Sequence, residues 1–156
     1  MSITLDNEII RQIILEHYQN PTYKKNISNN KKDYIILHSK SYNCIDDIYL
    51  FLKIENNIIK KCFWNGASCV ITASSTDIMC ELVTNKTIAE ANKIIKEYLN
   101  MISGKKFNKK ILKEAIVFVN VSKQLARIKC ATIGFYALYN KIKENGKKLQ
   151  IPKRTK

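Results

Sequence analysis

Three cysteines and one aspartate carry the chemistry most plainly written in this chain of 156 residues. Cys44 and Asp46 are one residue apart in Tyr42-Asn43-Cys44-Ile45-Asp46-Asp47. Cys69 follows Asn65-Gly66-Ala67-Ser68, and Cys130 follows Ala126-Arg127-Ile128-Lys129. Three thiols and a carboxylate form a donor set suited to zinc or to an iron–sulfur cluster. In extended chain, residues i and i+2 project to the same side, roughly 6.6–6.8 Å apart along the strand, so Cys44 and Asp46 can reach one ion. Cys69 falls at the predicted start of a helix with Ser68 as its cap. Unpaired backbone N–H groups there favour the thiolate. The charges of Arg127 and Lys129 favour a thiolate at Cys130.

Cys62 and Cys80 read as core. A free cysteine commonly behaves as a small buried hydrophobe, and that reading competes at every cysteine here. Cys62 is followed by Phe63 and Trp64 in a predicted strand. Cys80 lies on the same predicted helix as Cys69 but about 16 Å further along its axis, too far to share one ion. His17, late in the first helix, and His38, at a strand end, have no neighbouring acidic or cysteine cluster and are assigned surface or packing roles. No nucleophile elbow, P-loop or dinucleotide glycine fingerprint is present.

The elements that must position these groups follow from periodicity. Leu5, Ile9, Ile10, Ile13, Ile14 and Tyr18 make an amphipathic helix over 4–18, ended by Asn20-Pro21. Residues 20–33 are polar and read as a loop, and 34–37 as a short strand. Over 46–55, Ile48, Leu50, Leu52 and Ile54 alternate with Tyr49, Phe51, Lys53 and Glu55. Asn56-Asn57 supplies a turn and 58–64 returns as the next strand. Helical patterns then cover 69–83, 87–102, 109–118 and 125–142, with Gly104 and Gly146 at expected stops. Strands segregated from helices predict an α+β fold: a small antiparallel three-stranded sheet with helices packed on one face. Length predicts one domain over 1–146, followed by a basic flexible tail over 147–156.

A formal charge of +14 invites a nucleic-acid partner. Yet only Arg11, Arg127 and Arg154 are arginine, and arginine supplies much of base recognition. Lysine, asparagine and isoleucine are all abundant, which suits AT-rich codon usage better than phosphate binding. No stretch approaches the ~20 apolar residues of a membrane span, and Met1–Glu8 lacks the apolar run of a signal peptide. The reading is a cytoplasmic protein with reduced cysteines, bound to neither nucleic acid nor membrane. The odd cysteine count argues against a closed disulfide framework.

Residues 5–144 resemble the NifU/IscU-like family. The resemblance is carried by Glu16-His17-Tyr18-Gln19-Asn20-Pro21, Cys44-x-Asp46, Gly66-x-x-Cys69 with Ala73-Ser74, Ser122-Lys123, and above all Ala126-Arg127-Ile128-Lys129-Cys130-Ala131-Thr132. Lys129 where scaffold members have histidine, and a long interval between Cys69 and Cys130, are similar to the SufU branch. The resemblance implies a SufE/NifU-like fold, a role in iron–sulfur cluster assembly, and one Zn2+ held by Cys44, Asp46, Cys69 and Cys130. It further implies that Cys44 leaves the zinc, is replaced there by a partner histidine, and accepts persulfide sulfur, with Arg127 assisting the exchange. The implied donor is a PLP-dependent cysteine desulfurase (SufS-like). The implied recipients are a SufB-type scaffold or apo iron–sulfur proteins. The chain departs from the family at Ile45 and Ser68, where glycine is usual, and Ile45 implies a β-like backbone or strain. One rival reading is a scaffold carrying a transient [2Fe–2S] cluster on Cys44, Cys69 and Cys130. Another is a basic nucleic-acid-binding module with a structural zinc.

Overall fold

Asn56 and Asn57 close the hairpin around which the rest is built. Both adopt positive φ, 53° and 62°, as a two-residue turn matched to the twist of its strands requires. The computed structural model describes residues 6–42 and 44–150. The hairpin joins β2 (Asp47–Glu55) to β3 (Ile58–Ala67), and β1 (Ile35–Lys40) pairs with the other edge of β2. All pairing is antiparallel. Helices α1 (Asn7–Gln19), α2 (Val70–Val83), α3 (Ile88–Ile102), α4 (Lys109–Leu112) and α5 (Leu125–Gln150) complete the chain. This is the expected α+β architecture.

One sheet face is the core face. Ile48, Leu50 and Leu52 of β2 share a buried cluster with Ile59, Cys62 and Trp64 of β3, Met79 and Cys80 of α2, and Phe135 and Leu138 of α5. Strict alternation cannot place Ile59 and Cys62 on one face. A register shift lets it happen: Lys53 opposes Lys61 while Ile54 opposes Ile59, so Lys60 is the extra residue of a bulge. On the opposite face Tyr49, Phe51, Tyr34 and Phe63 form an aromatic row with centroids 6.3–6.5 Å apart. Beneath the core face, the Tyr98 ring of α3 stacks on Phe135 at 3.7 Å and its hydroxyl donates to the Ala131 carbonyl at 2.7 Å. That bond satisfies a phenol buried 33 positions away in sequence.

Several expectations need correction. The first strand runs to Lys40, three residues beyond the predicted end. The expected loop at 20–33 contains a 3-10 turn (Ser28–Asp33). It also pairs with β3: Lys25 N–H donates to the Trp64 carbonyl and Trp64 N–H to the Tyr23 carbonyl, both at 2.9 Å. The single helix expected over 109–118 is only four residues of α-helix, broken at Lys113 (φ 45°) and continued as a 3-10 segment, Lys113–Lys123. Its valines and isoleucine have low helix propensity, and burial of Ala115–Phe118 holds it instead. Gly104 ends α3 as expected, at φ 78°. Gly146 does not stop α5, which continues to Gln150; residues 151–156 of the expected tail lie outside the described residues. Among the described residues no helix is long and apolar enough to cross a membrane.

Candidate metal centre

Three separate segments deliver the four groups. Cys44 and Asp46 lie just before β2, Cys69 just after β3, and Cys130 in the second turn of α5. Pairing of Asp47 with Ala67 and Ile48 with Gly66 brings the two ends of the hairpin together. Gly66 permits that approach. Its φ is +129°, and a Cβ there would sit 2.2 Å from the Asp47 carbonyl oxygen. One ligand atom from each of Cys44, Asp46, Cys69 and Cys130 lies within 4.8 Å of all the others. Cys44 Sγ and Cys130 Sγ are 4.0 Å apart. A Zn–S bond of ~2.3 Å places tetrahedral sulfurs ~3.8 Å apart, so three thiols and a carboxylate at this spacing fit zinc.

Asp46 is 1% exposed and enters the cluster already bonded. Its Oδ1 accepts the Cys69 N–H at 2.8 Å and its Oδ2 accepts the Thr72 hydroxyl at 2.6 Å. Burial pushes this carboxyl up, but the bonds from Thr72 and Cys69 outweigh it and hold Asp46 below the usual carboxylate range. Cys69, not Ser68, caps α2: its Sγ accepts the Thr72 N–H at 3.4 Å. Without a metal, the surroundings of Cys130 oppose the thiolate expected there from Arg127 and Lys129. Burial pushes its thiol well up, reinforced by Cys69 and Asp46, while both basic residues are exposed to solvent. Cys44 is the exposed member of the set. It lies in a bend rather than in extended chain, so the i, i+2 argument does not describe it. Ile45 is 67% exposed and is not among the positive-φ residues, so it replaces glycine without that strain.

Cys62 and Cys80 lie in the core as expected, both 0% exposed with sulfurs 3.5 Å apart. Burial pushes the Cys80 thiol far up. Arg127 is one turn from Cys130 on α5 but makes no hydrogen bond or ion pair with the four ligands. It lines a groove of about 510 Å³ together with Arg11, Ile14 and Gln124. His38 bonds Asp47 Oδ1 at 2.5 Å and stacks on Tyr49, a surface role. His17 has a packing role, but the expectation that no acids lie near it fails: it bonds Asp77 at 2.8 Å and Glu114 at 2.8 Å, acids 60 and 97 positions away. Sequence reasoning also missed Thr72 and Asp77. An aspartate inside a run of buried positions, Thr72–Cys80, was the available signal, because a buried charge demands partners.

Comparison with known proteins gives the family and the fold. The NifU-like N-terminal domain model matches residues 9–131. The chain is 33% identical over 140 residues to the zinc-dependent sulfurtransferase SufU of Bacillus subtilis, covering 88% of this chain and 92% of that protein. It is 30% identical over 118 residues to the iron–sulfur cluster assembly scaffold protein IscU of Thermotoga maritima, covering 76% and 80%. A crystal structure described as a SUF-system cluster assembly scaffold from Fervidobacterium islandicum AW-1 superposes with a TM-score of 0.75 at 25% identity, over 85% of this chain and 96% of that one. With its match spanning both the hairpin and the convergent cysteines, the chain belongs to the NifU-like N-terminal domain family.

Proposed function

We propose that this protein acts in iron–sulfur cluster assembly as a zinc-dependent sulfur carrier. It takes persulfide sulfur onto Cys44 from a PLP-dependent cysteine desulfurase and passes it to a SufB-type scaffold or an apo iron–sulfur protein. The observation that carries this reading is the asymmetry of the donor set. Asp46 is buried and doubly hydrogen-bonded, Cys69 is held as the N-cap of α2 and Cys130 lies within α5, whereas Cys44 is exposed on a bend.

Zinc bound by Cys44, Asp46, Cys69 and Cys130 would hold the thiols as thiolates at neutral pH. Cys44 attacks the outer sulfur of the donor persulfide. A new S–S bond forms on Cys44, the donor's S–S bond breaks, and the donor cysteine leaves as a thiolate. Cys69 and Cys130 remain as anchors. Arg127, on the same side of α5 as Cys130, supplies positive charge near the anionic persulfide. Lys129, exposed beside Cys130, cannot act as the neutral nitrogen ligand that a histidine there would offer.

A second reading is a scaffold for a transient [2Fe–2S] cluster, favoured by the same three thiols and by the named function of the Thermotoga relative. Incubation with the cognate desulfurase and cysteine separates the two. The carrier reading expects faster alanine release with zinc bound and no iron. Mass spectrometry should find the persulfide on Cys44, with Arg127→Ala weakening stimulation at unchanged zinc content. Persulfide found mainly on Cys69 or Cys130 would reject the carrier role. A stable visible chromophore from iron and sulfide, with transfer to an apo-acceptor and no zinc-dependent stimulation, would establish the scaffold.

A further inference from the structure

Arginine is scarce in this chain and unevenly placed. Only three of its 27 basic residues are arginine. Two of those three, Arg11 of α1 and Arg127 of α5, line one groove of about 510 Å³, and neither a lysine nor an acidic residue lines it with them. Among the described residues neither guanidinium forms an ion pair or a side-chain hydrogen bond. Arg127 also sits in the first turn of α5, a turn without an acidic residue. The unpaired N–H groups at a helix start repel a cation, so α5 itself disfavours arginine there. An anion arriving from outside meets two unpaired guanidiniums and the positive end of a helix.

The rest of the groove is mainly apolar. Helix α1 supplies Ile10, Ile14 and Leu15, and α2 supplies Val70 and Ile71. No residue of α1 is fully buried, and Ile9 and Leu15 are 39% and 37% exposed. Ile10 and Ile14 pack against the core yet remain half-buried. The apolar face of α1 is thus only partly covered by its own chain. The groove adjoins the metal centre, since Val70 directly follows Cys69 and Arg127 lies one turn before Cys130.

We propose that this groove is the docking site for a segment of the sulfur donor that carries an apolar side chain beside an aspartate or glutamate, with Arg11 as the anchor of that carboxylate. The inference rests on the sulfur-carrier reading and adds to it where the donor is held. Charge complementarity selects the occupant. A guanidinium pairs with a carboxylate through two parallel N–H···O bonds, which the point charge of an ammonium does not reproduce. The apolar walls supply the buried area that a lone ion pair lacks, and arginine set in apolar surface is a common composition at the centre of an interface. A nucleic-acid strand fits less well. It needs a track of positive charge and exposed rings for its bases, whereas no lysine lines this groove and its one aromatic lining residue, Phe118, is 0% exposed. Arg11 is a positioning residue here: it holds the partner and touches no reacting atom.

The test is the dependence of alanine release on the concentration of this protein, with the full-length zinc-loaded chain, the cognate desulfurase and cysteine. Arg11→Glu should raise the half-saturating concentration about tenfold or more. The maximal rate, zinc content and melting temperature should stay unchanged, because the Arg11 guanidinium has no bond to lose. Arg11→Lys should recover only part of the loss, and Leu15→Ser should raise the half-saturating concentration by way of the apolar wall. Lys93→Glu, the same charge change at an exposed position of α3, should leave it unchanged. An unaltered half-saturating concentration in Arg11→Glu would overturn the docking site while the carrier reading stands. So would an equal rise in Lys93→Glu, which reports net charge, or a fall in maximal rate alone, which reports chemistry. Stimulation absent from the wild type would remove the carrier reading, and the docking site with it.

Discussion

Thr72 donates its hydroxyl to Oδ2 of Asp46 at 2.6 Å, and both residues are buried. The carboxylate therefore meets the three thiols already oriented. Thr72→Val keeps the shape and removes the donor. Zinc affinity, measured by competition with a chromophoric chelator, should fall about 10- to 100-fold, and Thr72→Ser should recover most of it. Wild-type affinity in Thr72→Val would show that the threonine orients nothing.

Metal content separates the two classes of cysteine. Purified protein should hold about one zinc in the cysteine centre, and Asp46→Ala should loosen it without unfolding the domain. Replacing Cys44, Cys69 and Cys130 together with serine should abolish it. Cys62→Ser and Cys80→Ser should leave that zinc in place and cost about 1–3 kcal/mol in a urea melt, because each buries a hydroxyl where a thiol packed. Zinc persisting in the triple variant would refute the ligand assignment.

His17 makes stability depend on pH. Hydrogen bonding to Asp77 raises its pKa from 6.5 to about 9, against the opposing effect of burial, with Glu114 adding to the rise. The folded state thus binds the proton more tightly than the unfolded chain. This contribution is fully present below pH 6.5 and is lost as pH rises through about 9. In metal-free protein the melting temperature of the wild type should fall more steeply over this window than that of His17→Gln. Parallel slopes would remove His17 as the source.

Gly66→Ala tests the hairpin's role in assembling the centre. The new Cβ would overlap the Asp47 carbonyl at 2.2 Å, at a φ of +129°. Strain and overlap together should cost about 2–5 kcal/mol. Zinc retention should suffer too, because the displaced strand ends carry Asp46 and Cys69. A variant with wild-type stability and zinc content would mean that the strands separate there at little cost.

What the sequence made legible was local. The alternation of β2, the Asn56-Asn57 turn and the triage of cysteines into Cys44, Cys69 and Cys130 against Cys62 and Cys80 all depend on neighbours within a few positions. The bulge at Lys60 was hidden because one extra residue leaves the composition of β3 unchanged while altering its parity. Cys69 took the cap expected of Ser68, a difference of one residue in where the helix begins. The surroundings of His17 were hidden for the opposite reason. Its acidic partners are 60 and 97 positions distant, and only the packing of α1 against α2 and the 3-10 segment brings them together. Burial likewise acts on Cys130 in a way the sequence hid, since Arg127 and Lys129 are close in sequence but point to solvent.

The segment around Lys24 seals one side of the sheet. By bonding both backbone groups of Trp64, it leaves β3 no free ladder at that point on which another strand could build. With β2 in the middle, the outer rim of β1 is the lateral growth point that remains among the described residues. Any strand added by a second molecule must therefore lie along Ile35–Lys40, where the charge of Lys40 disfavours a like strand approaching in register.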